Sequence, residues 1–395
     1  MTERQRAPLI RPRDRRSQIA SHASELFWRQ GFDGVSIKEI SEAVGLSSAA
    51  LYKHFSNKHV LLSEPVQELI LAWYACSLVA YDRYSNPRAA LDSVIDATVT
   101  ISVDKPSAVG LWYREHRHIP ASDYAEIIDM RTRTLSVWSK VLRGAFPSWS
   151  DNELTFRLTA AQGLLNCIPL IDVRISRTRL VERLKSAMLA IFEADTLPSE
   201  CPYAWTIAHY PRPDSSRSEL LLEAGARLFR DKGYHRVGID DIAEAAGIRG
   251  PSFYAHFDSK ADLLFQLMMR IADALEQTIR AVDSIQDTNE RIRVFISSYI
   301  EICLEHGDLV AVYATELQNL PADQYSILQK RRSYRTRVLT RLIIDFRPDL
   351  TATEARTVLL AALELLFTVS RVADLTHLPQ VEDHLALAMM ATLRS

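Results

Sequence analysis

The stretch VGLSSAALYKHFSNKHVLL, Val44 to Leu62, returns in recognisable form two hundred or so residues later as AGIRGPSFYAHFDSKADLL, Ala246 to Leu264. Sliding the chain by 202 positions superposes Leu26 on Leu228, Phe27 on Phe229, Gly31 on Gly233, Ile37 on Ile239, Ile40 on Ile242 and Gly45 on Gly247. The register continues without a gap through Tyr52/Tyr254, His54/His256, Phe55/Phe257 and Lys58/Lys260. With a shift of 201, EHRHIPASDY (Glu115–Tyr124) then lies on ELQNLPADQY (Glu316–Tyr325). Such a period is too long for a solenoid of small repeats, so the chain is a duplicated domain pair.

Length agrees, since 395 residues exceed one ordinary core. The seam lies in DTLPSECPYAWTIAHYPRPDSS, Asp195 to Ser216, which holds four prolines and no helical periodicity. Elsewhere Pro and Gly sit at breaks, and apolar residues recur at three and four, as in Leu154, Leu158, Ala161, Leu165 and Ile168. Capping boxes begin at Ser36, Ser150 and Thr351, and no alternating β segment appears. The expected class is all-α. Its division is a basic arm (1–15), a first head (16–62), a first helical body (63–195), a linker (196–216), a second head (217–264) and a second body (265–395).

Each head reads as two short helices joined by a glycine turn and packed on a third, a helix-turn-helix. The second short helix of such a unit enters the major groove with its N-terminal residues at base edges. That accounts for the small residues Ser47, Ser48, Ala49 and Ala50, while Leu51 and Phe55, four apart, anchor the helix to the core. Tyr52, Lys53, His54 and Lys58 are placed to reach phosphates, as is Ser36 at the start of the preceding helix. In the second head the same positions give Arg249, Gly250, Ser252, Tyr254, His256 and Lys260. Arg249 suits a guanine edge or a phosphate. Net charge is −2 overall, yet through Leu62 there are ten Lys/Arg against six Asp/Glu. Much of that excess lies in Arg4–Arg16, read as a phosphate-seeking tail. The second head, Arg217–Leu264, carries seven against eight.

The ordered set Phe27, Gly31, Ile37, Ile40, Gly45, Leu51-Tyr52-x-His54-Phe55, Lys58 and Leu61-Leu62, with its second copy, resembles the DNA-binding domain of the TetR (tetracycline-repressor) family of transcription regulators. The resemblance implies a double-stranded DNA operator as partner, a small-molecule effector among the C-terminal helices, and repression as the usual mode. Family members normally pair as separate chains. With both heads in one chain, the implication is a monomeric, intramolecular pseudo-dimer on an asymmetric operator, with further self-association left open. A wide apolar face on the last helices of each half is expected to close a four-helix bundle between them.

For the effector, taken to be mostly apolar, the first half offers Trp112, Tyr113 and His116, with Trp138, Gln162 and Asn166 from neighbouring helices. The second offers Tyr313 and Glu316. Two rival classes remain: a helical interaction protein in which only the first head meets DNA, and a small-molecule enzyme. Against the enzyme, no P-loop, GxSxG, HExxH or GxGxxG in strand context occurs. Glu115, His116 and His118 suggest a metal only until the second copy is consulted, where Leu317 and Asn319 replace the histidines. No catalytic residue, cofactor or metal is expected. The chain lacks a secretory signal and a membrane-length apolar run, so a cytoplasmic protein with incidental thiols (Cys76, Cys167, Cys201, Cys303) is the expectation.

Overall fold

The structure, a computed structural model, describes residues 12–171, 174–194 and 216–395. Among them there are helices and turns but no strand. Arg4, most of the basic arm, Cys201 and nearly all of the linker lie outside the described residues.

The first head consists of α1 (Pro12–Gln30), α2 (Ile37–Ala43), α3 (Ser48–Tyr52) and the start of α4 (Lys58–Arg83). Ile19, Ala23 and Phe27, four apart on α1, are fully buried against Ile40, Leu51 and Phe55. The turn between α2 and α3 needs a left-handed residue, and Gly45 supplies it at φ +65°. Around it Leu46 N–H donates to Ser41 O (2.8 Å) and Gly45 N–H to Glu42 O (3.1 Å), so the last carbonyls of α2 are answered.

The first body follows with α5 (Pro87–Asp104), α6 (Pro106–Glu115), α7 (Ala121–Ala145), α8 (Asp151–Gly163) and α9 (Arg177–Glu193). Side-chain oxygens of Asn86, Ser150 and Ser176 cap α5, α8 and α9. The second half repeats the plan as α10 (Arg217–Lys232), α11 (Ile239–Ala245), a 3-10 segment (Gly250–Ala255), α12 (Lys260–Asp283), α13 (Thr288–Glu305), α14 (Gly307–Thr315), α15 (Ala322–Phe346), α16 (Ala352–Val369), the short α17 (Ala373–Thr376) and α18 (Val381–Arg394). Gly247 (φ +68°) turns the second head as Gly45 turns the first. The starts of α5 and α13, α6 and α14, and α7 and α15 are each 201 residues apart, the shift read from the sequence.

The halves are joined where expected. α8 and α9 pack with α16 and α18 as a four-helix bundle. Gly163 lets α8 approach α16 so closely that a Cβ there would lie 2.7 Å from Thr368 Cβ. Nearby Asn166 donates to Thr368 Oγ1 (3.0 Å), and Arg183 pairs with Glu354 (3.1 Å). A single apolar core runs through both bodies and the second head. The first head has a separate cluster, extended into its body by Leu111, Ile119 and Ile127. No helix among the described residues is long and apolar enough to cross a membrane. Cys76, Cys167 and Cys303 are free thiols.

Candidate nucleic-acid interface and effector cavity

In both heads the segment after the glycine turn presents its polar side outward. Ser47 caps α3 by accepting from Ala50 N–H (3.2 Å) and is itself exposed. Tyr52 and Tyr254 are 52% and 61% exposed, beside the buried anchors Leu51 and Phe253. Lys53, Arg249 and His256 are exposed, whereas Ala50, His54 and Ser252 are half-buried. Ser48 is also half-buried and faces α2, where Ser41 Oγ donates to its hydroxyl (3.4 Å). Ser36 and Glu39 close a reciprocal cap: Ser36 N–H donates to Glu39 Oε2 (2.6 Å), and Glu39 N–H to Ser36 Oγ (3.2 Å). Hydrogen bonds from the Ser36 hydroxyl and backbone N–H hold the Glu39 carboxyl below its usual range. In the second head Gly238 N–H finds Asp241 (2.7 Å), but no hydroxyl answers in return.

Three expectations need correction. Lys58 and Lys260 do not extend outward toward phosphates. The Lys58 ammonium donates to Phe32 O and sits 4.2 Å over the Phe32 ring; Lys260 bonds Tyr234 O (2.9 Å) and Val237 O (2.8 Å) and covers the Tyr234 ring. Partial burial lowers both lysine pKa values. Each ammonium pins the loop after the head's first helix. Next, the stretch assigned to the basic tail already forms α1 from Pro12. Arg15 donates to Val44 O (2.8 Å), and Arg16 pairs with Glu64, reaches His54 O and lies 4.2 Å over Phe55. These arginines brace the reading segment. Finally, the second reading segment is a 3-10 turn, with Ser252 N–H donating to Arg249 O (2.9 Å) and His256 N–H to Phe253 O (2.9 Å). Gly250 and Pro251 are the poorest helix formers, which explains the tighter turn.

The proposed effector residues divide. Tyr113 and Asn166 from the first half, with Tyr313 from the second, line a cavity of ≈60 Å³ between α12–α16 and the first half's Trp28, Arg114 and Leu170. The others do not line it. Trp138 is core, packed on Phe192. Trp112 stacks with Tyr124 and packs at a tilt on His116, which bonds Trp112 O through Nδ1 (3.1 Å). Burial pulls the His116 pKa down to about 4. Gln162 is half-buried on α8. Glu316 is fully buried and holds Arg117 of the first half and Asn319 (2.6 Å). It is therefore a strut between the halves and not a ligand contact. Arg335, Tyr299 and Glu364 also line the cavity, and the sequence reading did not select them.

The halves grip each other's heads reciprocally. Gln318 of the second half lies against Gly31, where a Cβ would meet it at 3.3 Å, and Arg117 of the first lies against Gly233 at 2.8 Å. His118, beside Asp33 (3.8 Å), is kept neutral by burial, its pKa down to about 4.

The family described as "Bacterial regulatory proteins, tetR family" matches residues 19–64 and again 221–267, and the "Tetracyclin repressor-like, C-terminal domain" matches 286–371. The HTH-type transcriptional repressor KstR2 of Mycobacterium tuberculosis is 32% identical over 144 residues, covering 34% of this chain and 72% of its own length. The chain belongs to the tetR family of bacterial regulatory proteins. It is a helix-turn-helix, DNA-binding transcription regulator, and carries the family's N-terminal unit twice. Another tetR-family similarity is to the HTH-type transcriptional activator FasR of Mycolicibacterium smegmatis, 35% identical over 94 residues, 24% of this chain and 42% of that protein. The chain thus spans less than half of FasR. The solved structure of the ketosteroid transcriptional regulator KstR2 of Mycobacterium tuberculosis aligns with 46% of this chain and 94% of its own, at 23% identity and a TM-score of 0.40.

Proposed function

We propose that one chain reads one operator with both of its heads, as an intramolecular pseudo-dimer in the cytoplasm, and represses transcription until a small, mostly apolar molecule enters the helical bodies. The reciprocal grip carries this reading. Gln318 against Gly31, and Arg117 against Gly233 and Glu316, join each head's first helix to the opposite half, so a shift between the bodies alters head spacing. An effector acts by preferring one spacing over another. No catalytic step enters this account.

Phosphate contacts come from Ser36, Ser47, Tyr52, Lys53 and His54 in the first head and from Tyr254 and His256 in the second, together with the helix-start amides at Lys58 and Lys260. Base choice falls to Ser48, Ala50, Arg249, Gly250 and Ser252. Because these sets differ, the preferred operator has two unlike half-sites about 34–36 Å apart. Selection of bound duplexes from a random pool by the full chain tests this. Two dissimilar half-sites are expected, with Arg249→Ala blurring only one of them. A perfect palindrome contradicts the reading. A lone half-site would favour the alternative in which the second head, with its seven basic against eight acidic residues, does not meet DNA.

A further inference from the structure

The ≈60 Å³ cavity of the second body holds a buried charge with no carboxylate of its own. Arg335 is only 6% exposed, and its Nη1 has no hydrogen-bond partner within the protein. Its Nη2 donates to the Tyr313 hydroxyl at 3.1 Å. Tyr299, 1% exposed, brings a second hydroxyl without a partner to the same cavity. The carboxylate whose charge reaches Arg335 is Glu276, and that group is bonded to Arg331 at 2.6 Å. Glu364 faces a different set of groups: Arg332, Tyr113 and Arg371. A buried guanidinium without its own counter-charge is costly to keep, and one hydrogen bond to a tyrosine hydroxyl does not offset that cost.

We propose that this cavity binds the carboxylate end of an organic acid, with Arg335 as counter-ion and the Tyr299 and Tyr313 hydroxyls as flanking donors. The inference rests on the effector reading above and gives that effector its chemical class. Water in the cavity would satisfy the hydrogen bonds and leave the charge standing, whereas a carboxylate answers both. The volume admits the carboxylate and a short stem. The rest of the molecule is directed past Leu170, Arg332, Thr336 and Leu360, which line both this cavity and a neighbouring open groove of ≈650 Å³. Arg174, Arg332, Arg337, Arg341 and Arg356 line that groove, and among the described residues no Asp or Glu lines it, so its charge favours anions. Trp28, on the first head's α1, forms part of the cavity wall, so occupancy is felt by the opposite head.

The test uses the full chain without DNA, titrated with acetate, butyrate and hexanoate, each beside its amide, and followed by calorimetry and Tm. At least one acid is expected to bind saturably, with its amide about tenfold weaker or more. Arg335→Leu should abolish the preference for acid over amide, and Tyr299→Phe should weaken the acid about threefold or more. The proposal is overturned if no acid binds, if acids and amides bind alike, or if Arg335→Leu binds as wild type does. Should Arg335→Leu fail to fold, an unchanged affinity in Tyr299→Phe overturns it. Operator release is measured separately: an acid that binds yet leaves DNA affinity unchanged keeps this site and removes the effector role.

Discussion

The two heads share a plan and differ in how they are mounted. Both use a left-handed glycine, a buried aromatic anchor and a lysine folded back on loop carbonyls. The first presents an α-helix after its glycine turn and keeps its own apolar cluster; the second presents a 3-10 turn there and shares the core of both bodies. The bodies differ just as much. The positions of Arg335, Tyr299, Tyr313 and Glu364 in the second are occupied in the first by Thr134, Thr98, Trp112 and Gly163, by the 201-residue register. Duplication kept the scaffold and let the two cores diverge. A ligand site that needs a buried charge therefore belongs to one half only, while its walls come from both.

The mounting difference is broken most severely by truncating the anchors. Phe55→Ala and Phe257→Ala each remove a fully packed ring, at a cost of about 3–5 kcal/mol. Phe55→Ala should melt the first head alone, as a separate early step in calorimetry. Phe257→Ala should lower the main transition, because its cluster is that of the bodies. Identical single transitions in both variants would erase the distinction.

The bodies are separated next by Glu364. Burial raises its pKa from 4.5 to about 7, so the folded chain keeps a proton that the unfolded chain gives up near 4.5. The stability this lends is complete below pH 4.5 and is lost as pH rises through about 7. Glu364→Gln should therefore gain about 3 kcal/mol over wild type at pH 8 and close to nothing at pH 4.5, by denaturant midpoints at both values. An equal difference at both values would mean that the carboxyl is not buried as a proton-holding group.

Much of this was legible in the sequence. The 202-residue shift, the capping residues and the glycine turns gave the helices and the duplicated heads, because those signals are local. Lys58 and Lys260 misled because a lysine at a helix start looks free, and its carbonyl partners lie some two dozen residues back, at Phe32, Tyr234 and Val237. The matched aromatics after Gly31 and Gly233 were the available hint. The effector residues misled for another reason. A pocket was sought inside each half, whereas Tyr113 and Asn166 cross to line a cavity of the other. Arg335 was visible in principle: it stands seven residues after Leu328 and four before Leu339, on the apolar stripe of α15, where a charge has no ordinary reason to be.

The smallest difference is the easiest to erase. Gly238→Ser gives α11 the hydroxyl cap that Ser36 gives α2, and should add a few tenths of a kcal/mol without changing operator preference. A larger gain, or altered DNA binding, would mean that the missing hydroxyl separates the heads functionally.

The central claim is that a single chain fills both half-sites. Sedimentation of the full chain on its selected operator measures this directly, through the number of 44.8 kDa chains per duplex. One chain per duplex, with protection across both half-sites, is the predicted result. Two chains per duplex, each protecting one half-site, would contradict it.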